Sequence, residues 1–419
     1  MKNTNKFAAA ALSFALAAVS AGCSAPGAVT IGNNTKTAVT IDGYEIPAGV
    51  FIAYELTAYD SAATQYYYSN NVEPKPDDVK KFHIDGTDSE TWIQDQATEQ
   101  CCQFVAIEKE FDKINGSLTD EEQDQIDEYI KSLSDETRDF YEENGIGEES
   151  LKKVAAVSFK RDYLFDHYYG IDGPNGCSEE ELRDYYIENN ARVKYIEIKT
   201  ADGEGNAYDQ DTVHKLDQMA DDFVKQINDE KENEEKLAKI DELKEEYDEY
   251  AATLTTTVSG QTATTTTTTT TTTAASGVTT TTTTTDPHAN EQIVAKLTTT
   301  TADPDAAAAT TTAAAEKTDA QKASEALDEK LFNSDMPLYT AEKYQYDDNT
   351  IYVIIKADIE ERLNDEDMWT EDMKDQLISQ RYFNNFADWI KELADGYSVD
   401  KNKSSYKKYA PFKLDLENE

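Results

Sequence analysis

The chain has 419 residues, enough for two or three domains, and a formal net charge of −45. This charge argues against a nucleic-acid partner, whose phosphates require Lys and Arg, and against docking on anionic lipid through a basic patch. We interpret most of the acidic residues as solvated surface. Hydrophobic residues make up 38% of the chain and include 25 Tyr, so its cores should be rich in tyrosine.

The amino terminus has the pattern of an export signal. Lys2 and Lys6 form a basic start, and residues 7–19 form an apolar, alanine-rich segment that is too short to span a bilayer. Small residues then lead into a cysteine, in the sequence SAGC at 20–23. No other apolar stretch of the sequence is long enough to cross a membrane. The pattern predicts a protein that is exported and works outside the cytoplasm.

The SAGC sequence resembles the lipobox of bacterial lipoproteins, in which the cysteine is lipidated and becomes the first residue of the mature protein. Ser20 departs from the aliphatic residue that the family usually has at that position. The resemblance implies a signal peptide at 1–22, lipidation at Cys23 and a flexible tether at 23–37. Several acyl chains on one residue would anchor the body at the extracytoplasmic face of the cell membrane. The alternative is an ordinary secretory signal that contains a cysteine.

Residues 38–190 have a mainly helical pattern after a short hairpin. The sequence VTIDGYEI at 39–46 predicts strand, turn and strand, with Asp-Gly as the turn. Thr119 and Glu122 have the spacing of a capping box, in which each side chain satisfies a backbone N–H of the other residue. We predict a polar loop at 71–89 and helices at 48–70, 90–113, 119–133 with a further segment to 143, 148–169 and 178–190.

Two apolar runs lie far apart in the chain, RVKYIEIK at 192–199 and IYVIIKAD at 351–358. Both are rich in β-branched and aromatic residues, which predicts paired strands on a half-buried sheet. Apolar residues at helical spacing between 212 and 250 predict a helix, and its charged centre at 228–236 predicts a break. The Thr-rich segment 253–315 has no amphipathic period and is predicted to be a disordered insertion.

The last third of the chain carries two further helical patterns. Residues 286–297, inside the Thr-rich segment, are predicted to form no more than one transient helical turn. Residues 316–332 and 365–394 predict helices, and the second begins with a cap near Asn364 or Asp365. Its apolar face contains Trp369, Met373, Leu377, Phe386, Trp389, Ile390 and Leu393. A helix with such a face should pack against other helices.

The two predicted strands resemble the first and last strands of parvulin-type prolyl isomerase domains. In that family the first strand reads roughly (K/R)-H-I-L-(I/V) and the last reads roughly G-Y-H-I-I-K. Tyr195 and Val353 stand where the family has its two active-site histidines. The resemblance implies a degenerate parvulin-like domain at 191–359 that contains the insert at 253–315 and has lost its isomerase chemistry. Weak residual activity is the alternative, because a pocket can desolvate and twist an X–Pro bond without the histidines.

The remaining helical pattern resembles the N-terminal domain of SurA- and PrsA-type foldases. The matching pieces are VTIDGYEI at 39–46, LTDEE at 118–122, GIGEESL at 145–151 and SEEELRDYY at 178–186. The resemblance implies a helical chaperone domain at 38–190, completed by a C-terminal helix and tail at 360–419 that pack on it. The predicted fold class is therefore α+β: a mainly helical domain with an inserted small antiparallel-sheet domain and a disordered Thr-rich insertion.

No motif in the sequence carries recognisable catalytic or metal-binding chemistry. None of the four histidines is spaced with another His or Cys as a metal site requires, and the carboxylates are too numerous for one acid–base pair to stand out. We therefore expect no metal and no cofactor. Tyrosines are the best candidates for binding client polypeptides, because their rings are large, apolar and tipped with a hydroxyl. The candidates are Tyr54, Tyr59, Tyr66, Tyr67, Tyr68, Tyr185 and Tyr186.

Each of these seven tyrosines, taken singly, is more readily explained as a buried core residue. Taken together, we expect some of them to form an exposed aromatic surface. The sequence thus predicts an extracytoplasmic, membrane-anchored foldase-type chaperone that binds unfolded or secreted polypeptides. A peptidyl-prolyl isomerase with weak residual activity is the first alternative. A glycosylated surface lipoprotein that recruits a protein partner through its acidic face and Thr-rich arm is the second.

Overall fold

The structure is a computed structural model, and it shows an α+β protein with small antiparallel sheets. It describes residues 37–254, 256–258, 261–263, 288, 290–297, 317–333, 336–365 and 368–416. The predicted signal peptide and Cys23 lie outside these residues. The chain divides into two compact units. The helical unit contains residues 37–179 and 375–416, and the sheet unit contains the described residues between 180 and 374.

Helices and strands alternate irregularly along the described chain. The helices are α1 Ala48–Asn70, α2 Pro76–Val79, α3 Ser89–Lys113, α4 Asp120–Ser132, α5 Asp135–Glu143, α6 Glu148–Tyr169, α7 Glu179–Asn189, α8 Gln210–Asp229, α9 Asn233–Ala251, α10 Asp319–Asp328, α11 Glu371–Asp395 and α12 Lys403–Lys408. The strands are β1 Val39–Ile41, β2 Tyr44–Glu45, β3 His83–Ile84, β4 Thr87–Asp88, β5 Asn190–Lys199, β6 Thr256–Val258, β7 Gln261–Ala263, β8 Gln292–Ala295, β9 Glu342–Asp347, β10 Thr350–Ala357 and β11 Val399–Lys401.

Local capping signals fix where several helices begin. At α4, the Thr119 hydroxyl accepts from the Glu122 backbone N–H at 3.2 Å, and the Glu122 carboxylate accepts from the Thr119 backbone N–H at 2.7 Å. This reciprocal pair is the capping box that the sequence predicts. The side chains of Asp88, Ser134 and Asp209 cap α3, α5 and α8, and each accepts from a backbone N–H of the first turn. The predicted bounds of α1 and α6 are confirmed, as is the predicted break between α8 and α9.

The helical unit opens on the predicted hairpin and closes with a strand from the far end of the chain. Asp42 and Gly43 both have positive φ, 46° and 81°, as a two-residue hairpin turn requires. β11 pairs antiparallel with the other side of β1, with Val39 opposite Lys401. The strand order in this sheet is β11-β1-β2. The first strand of the unit and a strand near its C-terminal end are therefore joined by backbone hydrogen bonds.

One hydrophobic core holds the helical unit together. α1 and α3 supply its centre, including the fully buried Phe51 and Phe104. α11 adds Phe386, Ile390 and Ala394, which lie four positions apart and so share one helix face. Burying a large apolar side chain stabilises a fold by about 1.5–3 kcal/mol. The C-terminal helix is therefore an integral part of this core.

A buried carboxyl lies beside this core. Glu55 on α1 is fully buried, and it accepts one hydrogen bond, from Gln94 Nε2 at 3.4 Å. Its second oxygen has no partner among the described residues. Burial raises the pKa of Glu55 well above its ordinary value. Gln94 Nε2 also donates to the Tyr406 carbonyl at 3.3 Å, which links this carboxyl to the C-terminal segment.

The sheet unit is built on a four-stranded antiparallel sheet with the order β8-β5-β10-β9. β5 and β10 are its central strands, and they pair along their length from Arg192 opposite Ala357 to Lys199 opposite Thr350. The predicted pairing of the two apolar runs is confirmed. Successive residues of a strand point to opposite faces. One face carries Ile196 and Val353 against α8 and α9, and the other carries Ile354 against the turn that follows α10.

The segment that follows the long threonine runs contains a strand, which corrects two predictions. β8 pairs antiparallel with β5, with Ile293 opposite Arg192. Residues 286–297 therefore contain an extended strand, where the sequence predicts at most a helical turn. The predicted disordered insertion at 253–315 also contains the hairpin of β6 and β7. Most of the remaining insertion lies outside the described residues.

A buried ion-pair network fixes the residues before β8 to the sheet unit. Glu291, whose side chain is 5% exposed, accepts from Arg192 Nε at 2.9 Å and from Arg362 Nη1 at 2.6 Å. Burial opposes ionisation of Glu291, but the hydrogen bonds and charges of the arginines outweigh it and lower the pKa of this carboxyl. His288 Nδ1 lies 3.2 Å from the same carboxylate. This network explains why a strand forms next to a low-complexity tract.

Two predicted boundaries are wrong. The predicted polar loop at 71–89 contains α2 and the hairpin β3–β4. The last long helix begins at Glu371, where the Thr370 hydroxyl accepts from the Met373 backbone N–H at 3.2 Å. The sequence favoured a cap at Asn364 or Asp365. The Asp365 carboxylate instead accepts from Arg362 Nε at 2.6 Å.

Candidate functional site

The two positions that align with the parvulin histidines do not form one site. In the register of the central strands, Tyr195 lies opposite Ile354, and Val353 lies opposite Ile196. Tyr195 and Val353 therefore point to opposite faces of the sheet. Val353 is fully buried against α8 and α9, whereas Tyr195 is half-buried on the other face. No pair of groups at these positions can act together on a bound substrate.

On its own face, Tyr195 belongs to a row of three stacked tyrosines that crosses β5, β10 and β9. We call Tyr195, Tyr352 and Tyr346 the tyrosine row. The ring centroids of Tyr195 and Tyr352 are 4.6 Å apart at 26°, and those of Tyr352 and Tyr346 are 4.7 Å apart at 18°. Such near-parallel stacking covers ring faces that would otherwise be available to a ligand. The row therefore fits a packing role better than a binding role.

The hydroxyls of the tyrosine row are also engaged. Tyr195 Oη donates to Gln292 Oε1 at 3.1 Å, and Tyr346 Oη lies 3.2 Å from the Ser324 hydroxyl. Burial, followed by the charge of Glu197, raises the pKa of Tyr352. The phenol of Tyr352 therefore stays protonated at neutral pH and cannot act as a base. The arrangement offers no general acid–base chemistry on this face.

One lysine on the same face has a perturbed pKa. Burial lowers the pKa of Lys356 from its ordinary value. Its ammonium donates to the Leu331 carbonyl at 2.6 Å and lies 5.9 Å from the Phe332 ring centroid. These contacts tie β10 to the turn after α10. We therefore interpret Lys356 as a structural residue.

The predicted client-binding tyrosines divide into core and surface residues. Tyr59 and Tyr186 are buried, at 7% and 2% exposure, and have little surface to offer a client. Tyr54 is half-buried against the core of the helical unit, and burial strongly raises the pKa of its hydroxyl. The early turns of α1 are apolar on most sides, so their tyrosines pack inward.

The other four candidates lie nearer to the surface. Tyr66 is half-buried against Phe82, with centroids 5.5 Å apart, and Tyr185 is also half-buried. Tyr67 and Tyr68, at the end of α1, are 39% and 70% exposed. The Tyr67 and Tyr68 rings contact each other edge-on, with centroids 5.6 Å apart. This pair is the part of the predicted aromatic surface that the structure leaves exposed.

A second aromatic surface, which the sequence pattern does not reveal, lies in the helical unit. We call it the aromatic groove, and its rings are Tyr169 at the end of α6 and Tyr382 and Trp389 on α11. Tyr169 is 6% exposed, while Tyr382 and Trp389 are half-buried. The Tyr169 ring centroid lies 5.8 Å from that of Tyr382 at 47°, and 6.4 Å from that of Trp389 at 60°. The tilted rings do not cover one another as the tyrosine row does.

The positions of these rings follow from helix periodicity. Tyr382, Asn385 and Trp389 are three and four residues apart, so they share one face of α11. Tyr169 Oη donates to the Asn385 carbonyl at 3.3 Å, and Trp389 packs on Tyr168 with centroids 4.7 Å apart. The spacing of the sequence places Trp389 on the apolar face of this helix. Spacing identifies the face but does not show that its edge is half-exposed.

The described residues meet neither the requirements of a metal site nor those of a membrane span. Within the part of the chain that the structure describes, no group of three or more His, Cys, Asp or Glu side chains is placed to hold a metal ion. Among the same residues, no helix is both long and apolar enough to cross a bilayer. Cys101, Cys102 and Cys177 are free thiols, and all three are buried. Searches of family models, curated proteins and solved structures find no match to this chain.

Proposed function

We propose that this chain is an extracytoplasmic, membrane-anchored foldase-type chaperone that binds unfolded or secreted polypeptides. The observation that carries the proposal is the nested layout of the two units: the sheet unit is inserted between the N-terminal helices of the helical unit and α11, which completes that unit's core. SurA- and PrsA-type foldases, which the sequence resembles, also use a C-terminal helix to complete an N-terminal helical domain. In this proposal the helical unit is a SurA-like chaperone domain.

The sheet unit is, in the same proposal, a degenerate parvulin-like domain. Its support is that the two runs that resemble the first and last parvulin strands are the central pair of one small sheet. Its degeneracy is supported by Tyr195 and Val353, which lie on opposite faces and provide no pair of titrating groups. The proposal therefore assigns client binding to the protein and little or no isomerisation of X–Pro bonds.

The test compares two activities of the full chain, purified as the cell makes it. A near-stoichiometric amount should slow the aggregation of a chemically unfolded protein. It should not accelerate the refolding of a protein whose slow phase is proline isomerisation, a step of tens of seconds without a catalyst. A large acceleration that Tyr195→Ala abolishes would make the isomerase reading correct. If the protein neither slows aggregation nor accelerates refolding, the remaining hypothesis is a surface lipoprotein that recruits a protein partner.

The predicted membrane anchor has its own test. If Cys23 is lipidated, the wild-type protein should partition into the membrane fraction after cell breakage, because several acyl chains give stable anchoring. The variant Cys23→Ala should be recovered in the soluble or secreted fraction. Immunoblots of the two fractions measure the ratio. Equal partitioning of the two proteins would contradict a lipid anchor at this residue.

A further inference from the structure

The residues that follow α12 lie against the helical unit, and the last of them have little regular structure. We call residues 412–416 the tail. Residues 414–416 belong to no helix or strand. Tyr409, three residues before the tail, is 1% exposed and belongs to the hydrophobic core of the helical unit. The apolar side chains of the tail pack on the same core but are only half-buried, and they are Phe412, Leu414 and Leu416.

A buried asparagine binds the backbone of the tail. Asn144, which follows α5, is 3% exposed. Its Oδ1 accepts from the Asp415 backbone N–H at 2.7 Å, and its Nδ2 donates to the Asp415 carbonyl at 3.0 Å. Nδ2 also donates to the Phe140 carbonyl at 3.1 Å, which fixes the orientation of the amide. Every residue except proline offers the same two backbone groups, so Asn144 recognises a polypeptide without regard to its sequence.

The aromatic side chain of the tail has two further contacts with the helical unit. The Phe412 ring meets the Tyr59 ring edge-on, with centroids 6.1 Å apart at 85°. The Lys80 ammonium lies 5.6 Å from the Phe412 centroid, a distance at which a cation attracts an aromatic face. We call the surface formed by Tyr59, Lys80 and Asn144 the tail cleft. It combines an aromatic ring, a cation and an amide that binds backbone, and Tyr59 is one of the tyrosines that the sequence predicts to bind clients.

We infer that the tail cleft is a binding site for irregular, apolar segments of client polypeptides, and that the chain's own tail occupies it as an intramolecular competitor. The occupant itself shows the chemistry of the ligand: an aromatic residue and two leucines at alternate positions, held through backbone and apolar contacts. A tethered occupant has an effective concentration of the order of millimolar, so a client binds only when it displaces the tail. This inference rests on the proposed chaperone function and names the class of client segment.

The test uses the fluorescein-labelled peptide YAPFKLDL, which has the sequence of residues 409–416, and fluorescence anisotropy. Two proteins have a weakened occupant: a variant that ends at Pro411, and the full-length variant F412S/L414S, which answers the question if the shortened chain does not fold. Both should bind the peptide at least roughly tenfold more tightly than the wild type, because the tethered tail no longer competes. The control K403S/K407S changes two exposed lysines of α12 and should bind as the wild type does.

Two altered peptides test what the cleft recognises. YAPSKSDS lacks the three apolar side chains of the tail, and a peptide with an N-methyl group on its Asp lacks the N–H that Asn144 Oδ1 accepts. Each should bind F412S/L414S roughly tenfold more weakly than YAPFKLDL does. The inference is overturned if F412S/L414S binds YAPFKLDL no more tightly than the wild type, or if it binds all three peptides equally.

The same proteins separate this inference from the proposed function. F412S/L414S should slow the aggregation of an unfolded protein at a lower molar ratio than the wild type does. If the wild type slows aggregation and F412S/L414S binds the peptide no better, the chaperone function stands and the inference fails. If the peptide binds in the opened cleft and no protein slows aggregation, the peptide site stands and the chaperone function fails. Wild-type dimers that become monomers when the chain ends at Pro411 would assign the cleft to the tail of a second copy and overturn the inference.

Discussion

In the sheet unit, both oxygens of the buried Glu291 carboxylate accept hydrogen bonds from buried arginines, whereas in the helical unit one oxygen of the buried Glu55 carboxyl has no partner among the described residues. The consequences for the two pKa values are opposite: that of Glu291 is lowered and that of Glu55 is raised. Burial acts on both groups in the same direction, so the partners decide the sign.

The aromatic residues repeat this contrast. The tyrosine row of the sheet unit stacks its rings nearly parallel, and its two outer hydroxyls are hydrogen-bonded. The rings of the aromatic groove are tilted, and two of them, Tyr382 and Trp389, are half-exposed. The sheet unit thus completes its polar and aromatic interactions internally. In the helical unit Tyr382 and Trp389 remain half-exposed, and we place the proposed binding function there.

The largest expected loss of stability comes from removing the Glu291 carboxylate, which is paired with two arginines. Glu291→Ala should destabilise the sheet unit by about 3 kcal/mol, because the buried Arg192 and Arg362 lose the buried carboxylate that they share and keep only the more exposed Glu361 and Asp365. Hydrogen exchange of the β5 and β10 amides measures the loss. Glu197→Ala is the control, since Glu197 is exposed on β5 and pairs with Lys199 at the surface. A loss below about 1 kcal/mol, like that of the control, would show that the pairing contributes little.

Glu55→Gln tests the buried carboxyl whose second oxygen has no partner among the described residues, and we expect a smaller change in stability. Because the folded-state pKa of Glu55 is raised above its ordinary value of 4.5, the folded state holds the proton more tightly than the unfolded chain. Protonated Glu55 therefore contributes its whole share of the folding stability below pH 4.5, and this contribution is lost as the pH rises through the raised pKa. At pH 8 the variant should therefore be more stable than the wild type, by roughly 1–3 kcal/mol.

Urea unfolding of the helical unit at pH 4, 6 and 8 measures this change for both proteins. The wild type should lose stability as the pH rises, and the variant should lose less. Glu136→Gln, at an exposed position on α5, provides a control that should follow the wild type. A parallel pH profile for Glu55→Gln and the wild type would contradict the assignment of a raised pKa to this buried group.

The smallest expected effect is a coupling energy between stacked rings, and it compares the tyrosine row with the aromatic groove. A double-mutant cycle of Tyr195→Leu and Tyr352→Leu should give a coupling energy of about 0.5–1.5 kcal/mol, as expected for stacked rings. The same cycle on Tyr169 and Tyr382, whose rings are tilted and farther apart, should give a smaller coupling energy. Chemical denaturation of the single and double variants provides both numbers. Equal couplings would remove the distinction between a closed row and an open groove.

Predictions from the sequence succeeded where the determinants are local. The capping box at Thr119 and Glu122 and the apolar period of α6 are set by residues within one or two turns of each other, so the helix bounds could be read directly. The pairing of β5 with β10 was also predicted, because both runs are strongly β-forming and no other run in the chain matches them.

The errors have non-local causes. β8 has four residues beside a low-complexity tract, and it is held by Glu291, whose two arginines are far away in sequence. Nothing near Glu291 distinguishes it from the many other carboxylates of the chain. Tyr59 and Tyr68 are the same residue type on the same helix, and only the packing of α1 makes the first buried and the second exposed. The aromatic groove requires α6 and α11 to meet, which helical spacing alone does not specify.

The nested layout has a consequence for biosynthesis. A ribosome or translocase releases the chain from its N-terminus, so α1 and α3 emerge long before α11 and β11, which complete their core. The central strand β5 likewise cannot pair with β10 until β10 has emerged. The helical unit therefore completes its core only after α11 and β11 have emerged, whereas the sheet unit can complete its sheet once β10 has emerged. A chain truncated before α11 should expose the apolar face of α1 and be an aggregation-prone substrate for proteases, itself in need of a chaperone.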